Sequence, residues 1–141
     1  IERRATPLFE RLGLADVTDE YAVNYSKGMK KKLALACALL NQPELLILDE
    51  PTNGLDPHAT RELHELMRER SAAGTTIFFS THLLDQAEKL CQRVAIVHRG
   101  KLAAVGDIAE LMQRHSAASL EAVFFAVTGG SSIVDGAAHG G

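Results

Sequence analysis

The 141-residue sequence predicts an α/β fold with parallel strands and flanking helices, followed by a C-terminal β-hairpin and further helices. Three observations carry that prediction. Leu45-Leu46-Ile47-Leu48 is a run of four aliphatic residues without polar alternation, the pattern of a strand buried on both faces of a parallel sheet. Residues 75–80, Thr-Thr-Ile-Phe-Phe-Ser, form a second short β-favouring run, and a helix-length segment separates the two. The order strand, helix, strand, helix then calls for right-handed crossovers between neighbouring parallel strands.

Taken in order, Thr6 is a candidate cap and Pro7 a candidate first helical residue, with Leu8, Phe9 and Leu12 on one face and a stop at Gly13. Residues 16–25 are polar and aperiodic, which predicts a loop. A helix over Lys30–Leu40 follows, made of good helix formers, mostly small or apolar, and therefore largely buried. Its first turn holds three lysines, the wrong sign for the helix dipole, each costing about 0.3–1 kcal/mol if uncompensated. Ser26 and Gly28 suit an anion placed before this helix, one by its hydroxyl and the other by letting backbone N–H groups approach. The plainer alternative is that Ser26 caps the helix and the lysines are solvated.

Residues 41–44 break that helix and lead into the central strand. Beyond it, residues 52–57 make a tight turn in which Asp56 is a good N-cap and Pro57 a good first helical residue. The next helix, to about Arg70, points Leu63, Leu66 and Met67 inward. Leu83 to Cys91 resumes helical spacing. Val94–Val97 and Leu102–Val105 flank Arg99-Gly100-Lys101, the pattern of a hairpin closed by a glycine turn. Asp107 caps a helix over Ile108, Leu111 and Met112, and a final apolar helix spans Leu120–Val127. From Thr128 the composition turns to Gly, Ser, Ala and His, which predicts a flexible tail at 129–141.

The apolar fraction of 46% and charged fraction of 23% are those of an ordinary globular chain. A net charge of −3 argues against a nucleic-acid partner, because phosphate backbones need a basic face. Cys37 and Cys91 lack metal-ligand spacing and read as buried thiols in a reducing compartment. No run approaches the roughly 18 apolar residues of a membrane span. The absence of an initiator Met predicts a start inside a larger protein.

The residues with chemistry gather where the strands end. Asp49 and Glu50 close the first strand, and Pro51 prevents its continuation. Ligands of open parallel sheets sit at the carboxyl ends of the strands. A hydrated metal ion for Asp49 and a reacting water for Glu50 would account for two adjacent acids there. The second strand ends in Ser80-Thr81-His82, so parallel pairing brings His82 to the same edge as Asp49 and Glu50.

The succession YSKGM, an eleven-residue helix, LLILDEPTNGLDP and FFSTH resembles the carboxyl-terminal portion of an ABC transporter ATP-binding subunit, from about Leu8 to Thr128. The resemblance implies a partial P-loop NTPase-like domain over 1–128, with 1–42 the end of a helical subdomain and signature helix and 43–128 a RecA-like part with C-terminal elements. It implies ATP and Mg²⁺ as cofactors. Asp49 then holds Mg²⁺ through water, Glu50 polarises the attacking water, and His82 contacts the terminal phosphate. Gly54, Leu55 and Asp56 resemble the D-loop at a dimer interface. Tyr25 to Met29 resembles the signature loop that closes over an ATP on the opposite subunit, through Ser26, Lys27, Gly28 and Met29. Lys27 stands where the family pattern has glycine and Met29 where it has glutamine. That variant, with the Ser119–Phe124 segment, is similar to export-type bacterial members.

Phosphoryl transfer to water is catalysed mainly by positioning and charge stabilisation, so these three groups at one edge suit it. The implied partners are a second ATP-binding subunit, identical or different, and a transmembrane permease, at the cytoplasmic face of the membrane. The alternatives are a soluble ABC-type ATPase acting on ribosomes or DNA, which the acidic balance and Gly54 disfavour, or a truncated non-catalytic module. The sequence contains no G-x-x-x-x-G-K-[ST] loop: around Gly100-Lys101, Ala95 and Leu102 stand at the other positions. The expectation is an ATPase in the intact protein and an inactive chain in isolation.

Overall fold

The computed structural model describes residues 2–129, and all but the first residue of the tail expected at 129–141 lies outside them. The chain divides between His82 and Leu83 into two compact units. The first holds α1 (Glu2–Arg11), α2 (Lys27–Leu40), β1 (Leu45–Asp49), α3 (Pro57–Ala72) and β2 (Thr76–Ser80). The second holds α4 (Leu84–Leu90), β3 (Arg93–His98), β4 (Lys101–Asp107), α5 (Ile108–Arg114) and α6 (Leu120–Thr128).

In the first unit β1 and β2 pair in parallel, in register from Leu45 opposite Thr76 to Asp49 opposite Ser80. One face of this pair packs on the helices. Leu46 joins Leu8, Leu12, Leu35, Leu39 and Leu63 in the core, and Leu48, Ile77 and Phe79 pack against it. The strand is not buried on both faces, as the aliphatic run suggested: Leu45, Ile47 and Phe78 are exposed, because the three helices cover a single side. Arg11 joins α1 to α3, donating to Glu62 (3.2 Å) and Glu69 (2.7 Å). The Arg11 hydrogen bond to Glu69 holds that carboxyl below its usual range.

Other expectations need correcting. α1 begins at Glu2 and runs through Pro7, so Thr6 does not start it. Pro7 removes one ladder bond, and the buried Leu8 and Leu12 hold the helix in place. The loop over 16–25 contains two short 3₁₀ turns, Ala15–Val17 and Ala22–Asn24. The buried Tyr25 ties it down by donating its hydroxyl to the Val17 carbonyl at 2.6 Å. α2 starts at Lys27, three residues before the expected Lys30, and buries only the stripe of Leu35, Ala36 and Leu39. Cys37 lies off that stripe and is exposed. Cys91 is half-buried, and burial pushes its thiol up.

In the second unit the predicted hairpin forms, with a two-residue loop in which both Arg99 (φ 49°) and Gly100 (φ 73°) are left-handed. That backbone matches the twist of antiparallel strands. Its core is Ala87, Ile96, Ile108, Leu111, Leu120 and Val123. Glu88 accepts from the Leu120 N–H at 2.7 Å, and Ser119 from Ala122, so two side chains satisfy the start of α6.

Candidate functional site

The parallel register sets Asp49 opposite Ser80 at the carboxyl edge of the sheet. The Ser80 hydroxyl donates to Asp49 Oδ1 and accepts from the Glu50 N–H (3.0 Å), so one side chain of β2 orients both acids. Glu50 leaves the strand with φ 44°, a left-handed conformation that few non-glycine residues adopt. That turn aims its side chain across the edge, where His82 Nδ1 lies 2.8 Å from Oε1. A carboxylate only accepts, so the Nδ1–H of His82 is the donor in this pair. The other oxygen, Glu50 Oε2, is buried without a hydrogen-bond partner. Leaving such an acceptor unpaired costs about 1–3 kcal/mol. The structure thus brings together Asp49, Glu50 and His82 and adds Ser80. The sequence signal for Ser80 was its position, the last β2 residue, level with Asp49.

The start of α2 packs on the turn that follows Glu50. Ser26 caps α2, its hydroxyl accepting from Met29 N–H at 3.2 Å. A Cβ added to Gly28 would stand 3.3 Å from the Gly54 carbonyl oxygen, so this glycine permits a close backbone approach. Of the lysines, Lys30 donates to the Val23 carbonyl at 3.0 Å. Lys31 Nζ donates to the carbonyls of Glu50 and, at 2.8 Å, of Asn53. Lys32 pairs with Asp56 at 2.9 Å. Specific oxygens therefore offset the charge that the helix dipole disfavours.

Asp56 also caps α3 by accepting from Ala59 N–H at 2.8 Å. That hydrogen bond, with the Lys32 partner, lowers its carboxyl to about 2. Leu55, between Gly54 and Asp56, packs against the core of this unit. Lys27 is exposed and Met29 half-buried at the first turn of α2.

Residues 11–84 match the family model described as "AAA domain, putative AbiEii toxin, Type IV TA system". Over 115 residues the chain is 42% identical to an uncharacterized ABC transporter ATP-binding protein of Nostoc, covering 79% of this chain and 34% of that one. It is 39% identical over 108 residues to the daunorubicin/doxorubicin resistance ATP-binding protein of Streptomyces peucetius, covering 77% of this chain and 33% of that one. This chain belongs to the ABC transporter ATP-binding proteins. A Nod factor export ATP-binding protein of Sinorhizobium fredii is 43% identical over 101 residues, 72% of this chain and 29% of that one. A solved structure of an ABC transporter ATP-binding subunit superposes with a TM-score of 0.85 at 38% identity, covering 89% of this chain and 53% of that one. The chain thus spans about a third of the length of these curated relatives.

Membership of the ABC ATP-binding family implies nucleotide binding, for which Mg²⁺ is the usual companion. Among the described residues, no group of three or more His, Cys, Asp and Glu is placed to hold a metal alone. One carboxylate, Asp49, beside one hydroxyl, Ser80, is still the donor set that suits Mg²⁺, which takes one or two protein oxygens and fills its shell with water and phosphate. The orphaned Glu50 Oε2 suits a donor such as water. Among the described residues no helix is long and apolar enough to cross a membrane.

Proposed function

We propose that this chain is the carboxyl-terminal portion of an ATP-hydrolysing subunit that energises an export-type ABC transporter. The observation that carries the reading is Glu50, turned out of β1 with one oxygen on His82 at 2.8 Å and the other buried and unpartnered. In this reading Oε2 accepts a proton of the attacking water, and His82 steadies the carboxylate and faces the terminal phosphate. Bound Mg²⁺ supplies charge neutralisation of the phosphates beside Asp49. Ser26, Lys27, Gly28 and Met29, at the start of α2, meet the ATP of a second subunit. Gly54, Leu55 and Asp56 lie at that dimer interface, and a transmembrane permease docks at the cytoplasmic face. The names of the Nod factor export and drug-resistance relatives support the export branch.

The test is a chimera in which this chain replaces the matching segment of the Streptomyces relative. The chimera is expected to hydrolyse Mg-ATP, and Glu50→Gln to lower its kcat by about 100-fold or more. The 141-residue chain alone, lacking a phosphate-cradling loop, is expected to be inactive. Steady Glu50-dependent turnover by the chain alone would overturn the claim of incompleteness. A chimera indifferent to Glu50→Gln would overturn the role of that residue.

A further inference from the structure

We infer that Lys31 is a positioning residue for Glu50, acting on its backbone from the neighbouring helix. This rests on the reading of Glu50 given above and adds a residue that this reading does not contain. The observation is that the Lys31 ammonium donates to two carbonyls at the two ends of one turn, those of Glu50 and Asn53. The same Glu50 carbonyl also accepts from the Asn53 N–H at 3.1 Å, which closes the turn. On its other side the Glu50 N–H is fixed by Ser80 at 3.0 Å. Both peptide groups of Glu50 are therefore held from outside, one from β2 and one from α2.

This restraint has something to oppose. At φ 44° Glu50 sits in a region that is strained for a non-glycine residue, and such a conformation persists only where the surroundings over-determine it. A charged donor to a carbonyl is among the stronger hydrogen bonds, and here it acts on the peptide whose orientation follows from that φ. Without it the turn can relax toward negative φ, which swings the carboxylate away from His82. Misplacing a reacting group by about 1 Å is enough to cost around 100-fold in rate. Gly28 against Gly54 and Lys32 on Asp56 flank the Lys31 contact on the same two elements, so α2 and the turn are joined at three successive points.

The experiment compares Lys31→Met, Glu50→Gln and the double variant in the chimera, measuring kcat and KM for Mg-ATP. Lys31→Met keeps the length of the side chain and removes the donor. It is expected to lower kcat about 10- to 100-fold with KM changed less than about twofold, and to cause no further loss once Glu50 is Gln. A raised KM with kcat intact would assign Lys31 to nucleotide binding through the start of α2 and overturn the inference. So would a Lys31→Met loss that persists undiminished in the Glu50→Gln background, the mark of a general structural role. If Lys31→Met does not fold, Lys31→Gln is read on the same two criteria. Wild-type turnover by Glu50→Gln is a different result: it removes the reading of Glu50 itself, whatever Lys31 does.

Discussion

The two faces of the β1–β2 pair come from the same ten residues and have opposite surroundings. Leu46, 4% exposed, lies between Leu45 at 55% and Ile47 at 68%, and Phe78 opposite Ile47 is 62% exposed. Side chains alternate along a strand, so the inward set packs into the core with α1, α2 and α3 while Leu45, Ile47 and Phe78 of the outward set stay exposed. Leu45, Ile47 and Phe78 of the outward set are as apolar as the inward residues. What separates them is cover, and the described residues supply cover for one face only. The outward face is also the one that ends in Asp49 and Ser80, so the polar edge of the candidate site continues directly from bare aliphatic surface.

The difference between the two faces is expected to show most strongly in stability. Leu46→Ala is expected to destabilise the chain by about 2–5 kcal/mol in denaturant unfolding, against about 0.5 kcal/mol or less for Ile47→Ala. Equal losses would mean that the outward face is covered in solution. A smaller effect sharpens the same point. Ile47→Lys with Phe78→Lys is expected to reduce binding of an apolar dye and self-association in sedimentation, with the fold retained by circular dichroism. Unchanged dye binding would place the sticky surface elsewhere.

The smallest effect lies at the polar rim. Asp56 is lowered from 3.8 to about 2 by the Ala59 N–H first and Lys32 second. A depressed folded-state value contributes stability above the unfolded value, and that contribution is lost as pH falls through the folded one. The stability difference between the native chain and Asp56→Asn is therefore expected to be flat from pH 5 to 7 and to shrink between about pH 4 and 2. A difference that persists undiminished at pH 2 would show that the charge of Asp56 contributes nothing.

The sheet and the edge were readable because they depend on residue type and order. Two apolar runs separated by a helix are enough to pair β1 with β2, and the parallel pairing carries His82 to Glu50. The faces were not readable, since an aliphatic run looks the same whether one side or both are covered. Nor were the partners of Lys31: backbone carbonyls leave no mark in a sequence, and these lie 19 and 22 residues away. The Arg11 bridge to Glu62 and Glu69 spans more than fifty residues and needs the packing of α1 on α3 to exist first. Thr6-Pro7 misled for a local reason, because it offers a good cap and first residue where burial of Leu8 and Leu12 sustains a longer helix.

The left-handed backbone at Glu50 also sets the direction in which mutation can move this chain. Glycine or asparagine fits that conformation with less strain than glutamate, so a single codon position offers a sturdier fold at the expense of a carboxylate. Drift under selection for folding alone runs downhill there, away from Glu.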